Sequence, residues 1–345
     1  MRLLTLIRWA VGLALCVAAG LALAFRFGGS HWAVELLRFV PFLAWLGPSL
    51  LVFLLSWALP WRWRAAAALA LGLVVVDLMQ LSIGRGESSH ADAQAPLRFM
   101  TWNIKAYVAE DRGLGFEPIV AELERQAPDI VVMQDAPILE DAGEPMPEVL
   151  AAWLKPRHVY RRDQYVVASR WPLSGCTPHD TRAGEARSEF IACTVQAPGG
   201  PIDVVTTHFI SPRDGLNATR HERWHGIDTW QANLAERLGQ SRRLAAWLAA
   251  RSTVRPLVLA GDLNAPERSD VVRQLLRTGL RDAFSAAGTG WGFTHGHSLR
   301  PYITFLRIDH ILVNADVSVQ KTWVGGREAS EHRPVVVDLR LPAPR

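Results

Sequence analysis

Residues 257–264 read Leu-Val-Leu-Ala-Gly-Asp-Leu-Asn, four apolar residues followed by a glycine and by two polar residues that flank a leucine. An apolar run this short is typical of a buried strand rather than of a helix. Gly261 permits a sharp turn at the end of that strand. Asp262 and Asn264 are two residues apart, so we expect both side chains to point the same way. Pairs of this kind also cap helices and close turns, so the segment alone indicates a functional site only weakly.

Five other segments carry a carboxylate, an amide or an imidazole at or near the end of an apolar, strand-like run. They are 99–104 with Asn103, 128–135 with Asp135, 203–208 with His208, 307–313 with Asp309, and 331–337 with Glu331 and His332. Each segment alone is a weak signal, whereas six of them in one order and spacing form a strong one.

In this order and spacing the segments resemble those of the endonuclease/exonuclease/phosphatase superfamily, over about residues 96–341. That superfamily includes DNase I-like nucleases, abasic-site endonucleases, inositol polyphosphate phosphatases and sphingomyelinases. The resemblance implies an α/β fold of one kind, a DNase I-like four-layer α/β sandwich. The sequence pattern itself predicts only two packed sheets covered by helices.

Hydrophobic periodicity predicts the individual elements of this α/β domain. The predicted helices are 116–126, 147–154, 234–250 and 269–278. The predicted strands are 99–103, 130–135, 165–169, 190–196, 202–207, 257–260, 307–313 and 335–341.

The resemblance implies a metal-dependent phosphoric ester or pyrophosphate hydrolase. A hard divalent cation stabilises the charge that develops when a nucleophile attacks an anionic phosphorus. Magnesium prefers carboxylate and amide oxygens, and the matching positions are Asn103, Asp135 and Glu331. The family pattern has Glu where this chain has Asp135, and Asp where it has Glu331. Mg²⁺ is therefore the first expectation, and Mn²⁺ or Ca²⁺ stays open.

The catalytic residues that the resemblance implies are Asp262, Asn264, His332, Asp309 and His208. Asp309 would orient His332 through a ring N–H, and Asp262 would position or deprotonate the attacking water. Asn264 and His208 would bind phosphoryl oxygens. Whether Asp262 or His332 is the base stays open. The sequence holds no Ser or Cys nucleophile motif, so a covalent intermediate is not indicated.

The N-terminal part of the chain is predicted to be a membrane anchor. Three apolar segments, 3–24, 39–59 and 65–83, are each near the roughly 20 residues that cross a bilayer. They predict three transmembrane helices, with a signal peptide as the alternative for the first segment. The domain organisation is then an anchor at 1–83, a flexible linker at 84–95 and a catalytic domain at 96–345.

Basic residues in the short loops predict the orientation of the anchor. Arg2, Arg8, Arg62 and Arg64 mark the cytoplasmic side, so three crossings place the catalytic domain outside. The predicted location is the inner (cytoplasmic) membrane, multi-pass, with an extracytoplasmic domain. An oxidising compartment would permit a disulfide between Cys176 and Cys193, and two unpaired cysteines are the equal alternative.

Charge and aromatic residues predict the substrate class. The chain has 37 basic and 33 acidic residues, of which residues 1–95 hold seven and four, leaving 30 and 29 for residues 96–345. A nearly neutral domain argues against a nuclease, which relies on neutralising phosphates. Two segments next to the site mix tryptophan, phenylalanine and arginine, as suits a surface at headgroup level. These residues are Trp224, Trp230, Trp291, Phe293, Arg213, Arg220, Arg223 and Arg300.

The expected partners are therefore the membrane lipid bilayer and a phosphorylated lipid or lipid pyrophosphate at its outer face. The alternatives are a phosphodiesterase of sphingomyelinase type, a membrane-anchored endonuclease or exonuclease on nucleic acid, and a non-catalytic binding module. The oligomeric state stays open.

Overall fold

The computed structural model describes most of the chain as two compact units. The described residues are 2–87, 96–107, 113, 115–136, 146–181, 189–222, 224–251, 255–296, 303–327 and 329–342. One unit comprises Met1–Ser82 with Arg268–Asp270, and the other comprises Ile83–Glu267 with Val271–Arg345.

The first unit is helical. Its helices are α1 (Arg2–Phe27), α2 (Trp32–Leu37), α3 (Leu43–Leu55) and α4 (Trp61–Gly72), with a 3₁₀ turn at Ser56–Ala58 and a π-helical stretch at Leu73–Leu78. Within the described residues, α1 is the one helix that is long and apolar enough to cross a membrane, judged by length and composition. Arg26 at its end is 3.2 Å from Asp77.

The prediction of three transmembrane helices is therefore wrong in number. At about 1.5 Å per residue, the 13 residues of α3 reach only about 20 Å, short of the roughly 30 Å of a bilayer core. Pro41 lies before α3 and Pro60 after it, which confines the helix between them. The third segment is divided between α4 and the π-helical stretch.

The second unit is an α/β domain. Its strands are β1 (Ser82–Ile83), β2 (Leu97–Asn103), β3 (Ile130–Gln134), β4 (His158–Arg162), β5 (Tyr165–Ser169), β6 (Leu173–Asp180), β7 (Glu189–Ala197), β8 (Gly200–His208), β9 (Leu257–Asp262), β10 (Arg281–Asp282), β11 (Thr289–Gly290), β12 (Asp309–Val313), β13 (Ser318–Val324) and β14 (Val335–Arg340). Its helices are α5 (Glu117–Gln126), α6 (Glu148–Leu154), α7 (Arg213–His221), α8 (His225–Ala249), α9 (Asp270–Leu276) and α10 (Ala283–Ala287).

Two six-stranded mixed sheets form the centre of the domain. The first sheet has the order β10-β12-β9-β8-β7-β6, and the second has the order β13-β14-β2-β3-β5-β4. Each contains one parallel pair, β8 with β9 and β2 with β3, and the other pairs are antiparallel. The predicted α/β fold is thus confirmed as two mixed sheets, an arrangement consistent with a DNase I-like domain.

The main core lies between the two sheets. Alternate residues of β2, β3 and β5 pack against alternate residues of β7, β8, β9 and β12, with Phe99, Val132, Val204 and Val258 among them. A second core lies on the other side of β2, β3 and β5, where α5 and α6 bury their apolar faces. The strand period of two explains both cores, because successive side chains of a strand face opposite layers.

The two domain cysteines form a disulfide. Cys176 lies on β6 and Cys193 on β7, with Cα atoms 4.1 Å apart. The β6–β7 register shifts between Ser174 and Thr177, and this irregularity places Cys176 opposite Cys193. The choice left open by the sequence is thereby decided for the bridged form.

Part of the predicted flexible linker is bound to the α/β domain. Gly84 N–H donates to Gly288 O at 2.8 Å, and Glu87 N–H donates to Val319 O at 2.9 Å. The remainder of that segment, residues 88–95, lies outside the described residues.

Candidate active site

The site residues continue the inner faces of the two sheets beyond the main core. Asn103 has the same parity along β2 as Phe99, and Asp262 has the same parity along β9 as Val258. In the same way, His208 follows Val204 on β8 and Asp309 precedes Ile311 on β12. Since side chains of equal parity share one face, the apolar core ends where these polar groups begin.

The backbone is unusual at this end of the core. Three non-glycine residues there, Lys105, Asp135 and Asn264, have φ between +44° and +50°. Left-handed backbone in such residues costs of order 1–3 kcal/mol each and clusters at functional sites. Gly261 does not form the expected sharp turn; it lies within β9. A side chain there would collide with Thr207 O, so the close approach of β8 and β9 requires glycine.

Asp262 is the hub of the site. Its Oδ1 accepts from the Asn264 backbone N–H at 2.9 Å, and its Oδ2 accepts from Asn103 Nδ2 at 3.0 Å. Asp262 Oδ2 is also 3.4 Å from His208 Nε2 and 3.8 Å from His332 Nδ1. Four other predicted residues therefore meet at this one buried carboxylate.

His208 is held by a residue that the sequence did not suggest. Its Nδ1 is 2.7 Å from Gln164 Oε1, and the same nitrogen is 3.6 Å from Asp135 Oδ1. Gln164 is buried in the turn between β4 and β5. Because the amide oxygen accepts a proton from Nδ1, Nε2 is left as the basic nitrogen, facing Asp262.

His332 and Asp309 form the predicted pair. His332 Nδ1 is 2.9 Å from Asp309 Oδ2, so the carboxylate accepts its proton and leaves Nε2 as the basic nitrogen. The ring of His295 stacks on that of His332 with centroids 4.2 Å apart.

Glu331 lies beside a lysine that the sequence reading missed. Lys105 Nζ donates to Glu331 Oε2 at 3.1 Å, and Lys105 N–H donates to Asn103 Oδ1 at 3.2 Å. Both side chains are buried. Lys105 lies beyond the end of β2 in left-handed backbone, so strand parity does not predict the direction of its side chain.

Every predicted site residue thus falls into one connected network. The eight residues are Asn103, Asp135, His208, Asp262, Asn264, Asp309, Glu331 and His332, and all are buried. Asn264 also donates from Nδ2 to Phe209 O at 2.8 Å, which leaves one of its two amide protons for another acceptor. The individual roles of these residues stay predictions.

Burial of so many acids changes their protonation. Burial raises the pKa of Asp262 to about 7, and the neighbouring Asp309 adds to the rise. Burial likewise raises the pKa of Asp309 to about 7. For His332, burial and then the charge of Lys105 lower the pKa well below the ordinary 6.5, so this imidazole is neutral at neutral pH.

The donor set fits a divalent cation. Asp135, Asp262, Asp309 and Glu331 are four buried carboxylates, and the ammonium of Lys105 contacts one of them, Glu331. Buried charge of one sign needs a counter-charge, either protons or a metal ion. By geometry alone, Asp262, Asp309 and His332 could also hold an ion, with ligand atoms within 4.8 Å of one another. We favour the amide and carboxylate side, because His332 Nδ1 is already bonded to Asp309.

Two segments flank the network. Residues 210–222 and Trp224 follow the His208 strand, and residues 291–296 include His295. Trp224 is 81% exposed, and Trp291 is 36% exposed and stacks on Phe293 with centroids 6.0 Å apart. Trp230 lies on α8 and is fully buried, so the prediction that it belongs to a surface at headgroup level is wrong. Arg223 and Arg300 lie outside the described residues.

Comparison with known proteins agrees with this arrangement. The family model described as "Endonuclease/Exonuclease/phosphatase family" matches residues 100–332, a range that begins just before Asn103 and ends at His332. The chain belongs to the endonuclease/exonuclease/phosphatase family. Members of this family are phosphoester hydrolases and typically use divalent metals. No curated protein matches the sequence.

Solved structures share the fold of this family member. An endonuclease/exonuclease/phosphatase from Beutenbergia cavernae DSM 12333 is 24% identical, with a TM-score of 0.54 over 72% of each chain. Truncated TDP2 of Caenorhabditis elegans is 16% identical, with a TM-score of 0.51 over 72% of this chain and 98% of that one. A mannosyl-6-phosphatase of Bacteroides thetaiotaomicron VPI-5482 is 15% identical, with a TM-score of 0.51 over 70% of this chain and 99% of that one.

Proposed function

We propose that the chain is a metal-dependent phosphohydrolase that acts at the outer face of the cytoplasmic membrane on a phosphorylated lipid, with a lipid pyrophosphate ahead of a phosphodiester lipid. The observation that carries the hydrolase part is the connected, buried network of carboxylates, amides and imidazoles at the end of the inter-sheet core. Family membership supports phosphoester hydrolysis in general.

The network supplies the groups that such a reaction needs. Asp262 accepts two hydrogen bonds that fix its carboxylate, and its raised pKa of about 7 is close to the ideal for proton transfer at neutral pH. His332 presents a neutral imidazole whose orientation Asp309 fixes. In this proposal Asp262 or His332 takes the proton of an attacking water, while His208 and Asn264 bind phosphoryl oxygens.

A divalent ion would be held by the amide oxygen of Asn103, whose nitrogen donates to Asp262, and by the carboxylate of Asp135, which lies beside His208. When bound, such an ion neutralises phosphate charge and stabilises the leaving oxygen. Mg²⁺ is the ion that we propose first, and Mn²⁺ or Ca²⁺ are the alternatives. Glu331, the third predicted ligand, faces Lys105.

Thermal stability should depend on pH and on the metal together. Asp262 and Asp309 have folded pKa values of about 7 against an ordinary 3.8, so between about pH 4 and 7 the folded state binds more protons than the unfolded one. Their stabilising effect is complete below the unfolded value and is lost as the pH rises through the folded value.

We therefore expect the protein without metal to have a lower Tm at pH 8 than at pH 5. A divalent ion bound in the same network favours the ionised form of these carboxyls, so it binds more tightly as the pH rises and the rise in Tm on adding Mn²⁺ should be larger at pH 8. Thermal unfolding in chelator and in Mn²⁺ across pH 5–8 measures both effects. If Mn²⁺ raised the Tm equally at pH 5 and pH 8, the raised pKa values of Asp262 and Asp309 would be contradicted.

The membrane part of the proposal rests on α1 and on the exposed aromatic residues. An apolar helix of 26 residues precedes the catalytic domain. Tethering raises the effective concentration of a lipid substrate and gives little advantage against a soluble one. Trp224 and Trp291 are the kind of side chain found at headgroup depth.

Nucleic acid is the second candidate substrate because members of this family include nucleases. The nearly equal numbers of basic and acidic residues in 96–345 argue against it. One fold neighbour is a mannosyl-6-phosphatase, so this fold also hosts phosphatase activity.

A single assay separates these substrates. The full-length protein in detergent, with Mg²⁺ or Mn²⁺, is given one of three substrates. They are a polyprenyl pyrophosphate in mixed micelles, a sphingomyelin-type phosphodiester lipid in mixed micelles, and plasmid DNA in the same detergent buffer. We expect turnover of the pyrophosphate lipid first, and no turnover in chelator. Efficient cleavage of DNA without cleavage of either lipid would refute the lipid proposal, and cleavage of none would favour a binding module.

The disulfide supports an extracytoplasmic domain, since bridges persist in oxidising compartments. We expect protease to digest the domain in intact spheroplasts, and a non-reduced peptide map to link Cys176 to Cys193. A domain that is protected until lysis would reverse the proposed topology. A reduced pair in the purified protein would remove this support for it.

A further inference from the structure

Lys105 places an ammonium group inside the acidic network. It lies two residues beyond β2 in left-handed backbone with a φ of +44°, and its side chain is 4% exposed. Its Nζ is 3.1 Å from Glu331 Oε2, and the carboxylate of Glu331 is equally buried. Strained backbone that directs a lysine inward is a feature that functional sites keep.

The charge of Lys105 reaches several members of the network. It contributes, after burial, to the lowered pKa of His332 and of His295, and it opposes the effect of burial on the pKa of Asp309. Its backbone N–H also donates to Asn103 Oδ1. The ammonium therefore contacts Glu331 directly, and the backbone of Lys105 ties it to Asn103.

A lysine at this position competes with a metal ion for the same anion. An ammonium hydrogen-bonded to a buried carboxylate satisfies its charge and occupies one of its oxygens. Four carboxylates without a lysine could hold two divalent ions, as paired-metal hydrolytic sites do. With Lys105 in place, the Glu331 side of the network already has its cation.

We propose that Lys105 is a resident cation of the active site, which takes Glu331 as its counter-ion and leaves room for one divalent ion, at Asn103 and Asp135. Glu331 is then the anchor of Lys105 and not a direct metal ligand. This inference rests on the proposed metal dependence, and it adds the number of ions and the residue that limits it.

Metal binding measured without substrate tests the inference. The full-length protein in detergent is stripped with chelator, dialysed, and titrated with Mn²⁺ in a calorimeter. We expect one Mn²⁺ per wild-type chain. Lys105→Met keeps the length of the side chain and removes its charge, so it should bind a second Mn²⁺ or bind the first at least tenfold more tightly. Lys105→Arg keeps the charge and should bind one ion as the wild type does.

A second variant covers the case in which Lys105→Met leaves Glu331 unpaired and unfolds the protein. Lys105→Met with Glu331→Gln removes both charges and keeps the net charge of the site. It should bind one Mn²⁺ with a Kd within about threefold of the wild type. Loss of binding in this double variant would overturn the inference, because Glu331 would then be a ligand.

Two other results are decisive. A Lys105→Met protein that folds and binds Mn²⁺ with wild-type stoichiometry and Kd would also overturn the role of Lys105. A wild-type protein that binds no Mn²⁺ at any concentration tested would refute the proposed metal dependence itself, which separates the two failures.

Discussion

His332→Ala is expected to lower kcat by more than about a hundredfold, the usual contribution of a general acid or base. Its imidazole is fixed by a 2.9 Å contact with Asp309 and lies 3.8 Å from Asp262, and in this network it is the imidazole that Asp309 orients. Asp262→Asn should cost as much, because it removes the charge at the hub while keeping the size of the side chain. Steady-state rates on the best lipid substrate measure both effects.

The control is the same substitution at an exposed histidine. His158 lies on the edge strand β4 and pairs with Ser169, at the end of β5 remote from Gln164 and the site. His158→Ala should keep wild-type kcat, because the residue is remote from the site. It should also keep the fold, since exposed substitutions rarely change stability by more than about 0.5 kcal/mol. All variants should share the far-ultraviolet circular dichroism spectrum of the wild type. A His332→Ala enzyme with wild-type kcat would remove His332 from the chemistry.

Added imidazole gives a test that a structural role would not pass. In the wild type the rings of His332 and His295 have centroids 4.2 Å apart. Replacing His332 by alanine therefore leaves space between Asp309 and the His295 ring. If His332 transfers a proton, imidazole should restore part of the lost activity in a concentration-dependent way. Asp262→Asn should show no such recovery. Rescue of neither variant, with both folded, would favour positioning as the role of His332.

The interior of the fold was predictable because most of its strands are buried on both faces. Strands β2, β3, β5, β7, β8, β9, β12 and β14 were all expected near their observed bounds. Their apolar runs reflect packing against two layers at once. The strands that were missed are β4, β6, β10 and β13, which are the edges of the two sheets, and β1 and β11, which form a separate pair of two-residue strands. An edge strand has one unpaired side and a more exposed face, and β6 even carries Pro178, so no apolar run marks it.

Helix α8 shows where periodicity fails. The prediction began at Leu234, whereas the helix begins at His225. Its first turns are polar apart from Ile227 and Trp230, and Trp230 is buried in the fold with Arg237 over its ring at 5.1 Å. One buried aromatic residue among polar residues gives no periodic signal, so the sequence suggested that Trp230 was exposed.

The site was predictable where a polar residue ends an apolar run, which holds for Asn103, Asp262 and His208. Gln164 and His295 were missed as parts of the network because they lie in irregular segments, where spacing says nothing about direction. Lys105 was missed because left-handed backbone lets it turn back beside Glu331. Resemblance to a family identifies the residues that match its motifs, whereas the contacts of Gln164, His295 and Lys105 depend on how this particular chain packs.

The largest loss of stability is expected at a buried cluster on the other face of β12. His310 points away from the site, as its parity predicts, and its Nδ1 is 3.0 Å from Asp282 Oδ2. Arg307 Nη1 is 2.8 Å from Asp282 Oδ1, and the same carboxylate oxygen accepts from Ser285 N–H at the start of α10. Arg307 also contacts Glu267. The Asp282 carboxylate therefore binds the side chains of Arg307 and His310 and the first turn of α10.

Asp282→Asn should lower the free energy of unfolding by about 3–5 kcal/mol, the usual cost of removing one partner of a buried ion pair. The amide has nearly the same size, so the loss reports the charge and not a cavity. Asp338→Asn is the matched control. Asp338 is 2.8 Å from Arg98, but those side chains are 21% and 34% exposed, so we expect a loss below about 1 kcal/mol. Denaturant unfolding of both variants in the same detergent measures the difference.

The pH dependence of unfolding, compared between the wild type and Asp282→Asn, shows whether the charge of Asp282 causes the loss of stability. Burial acts to raise the pKa of Asp282, but the charge of Arg307 and then His310 outweigh it and hold the pKa well below the ordinary 3.8. A lowered folded pKa contributes stability above the unfolded value, and that stability is lost as the pH falls through the folded value. The wild type should therefore lose stability below about pH 4, and Asp282→Asn should lose less of it over the same range. Parallel acid limbs for the two proteins would show that Asp282 acts through packing and not through its charge.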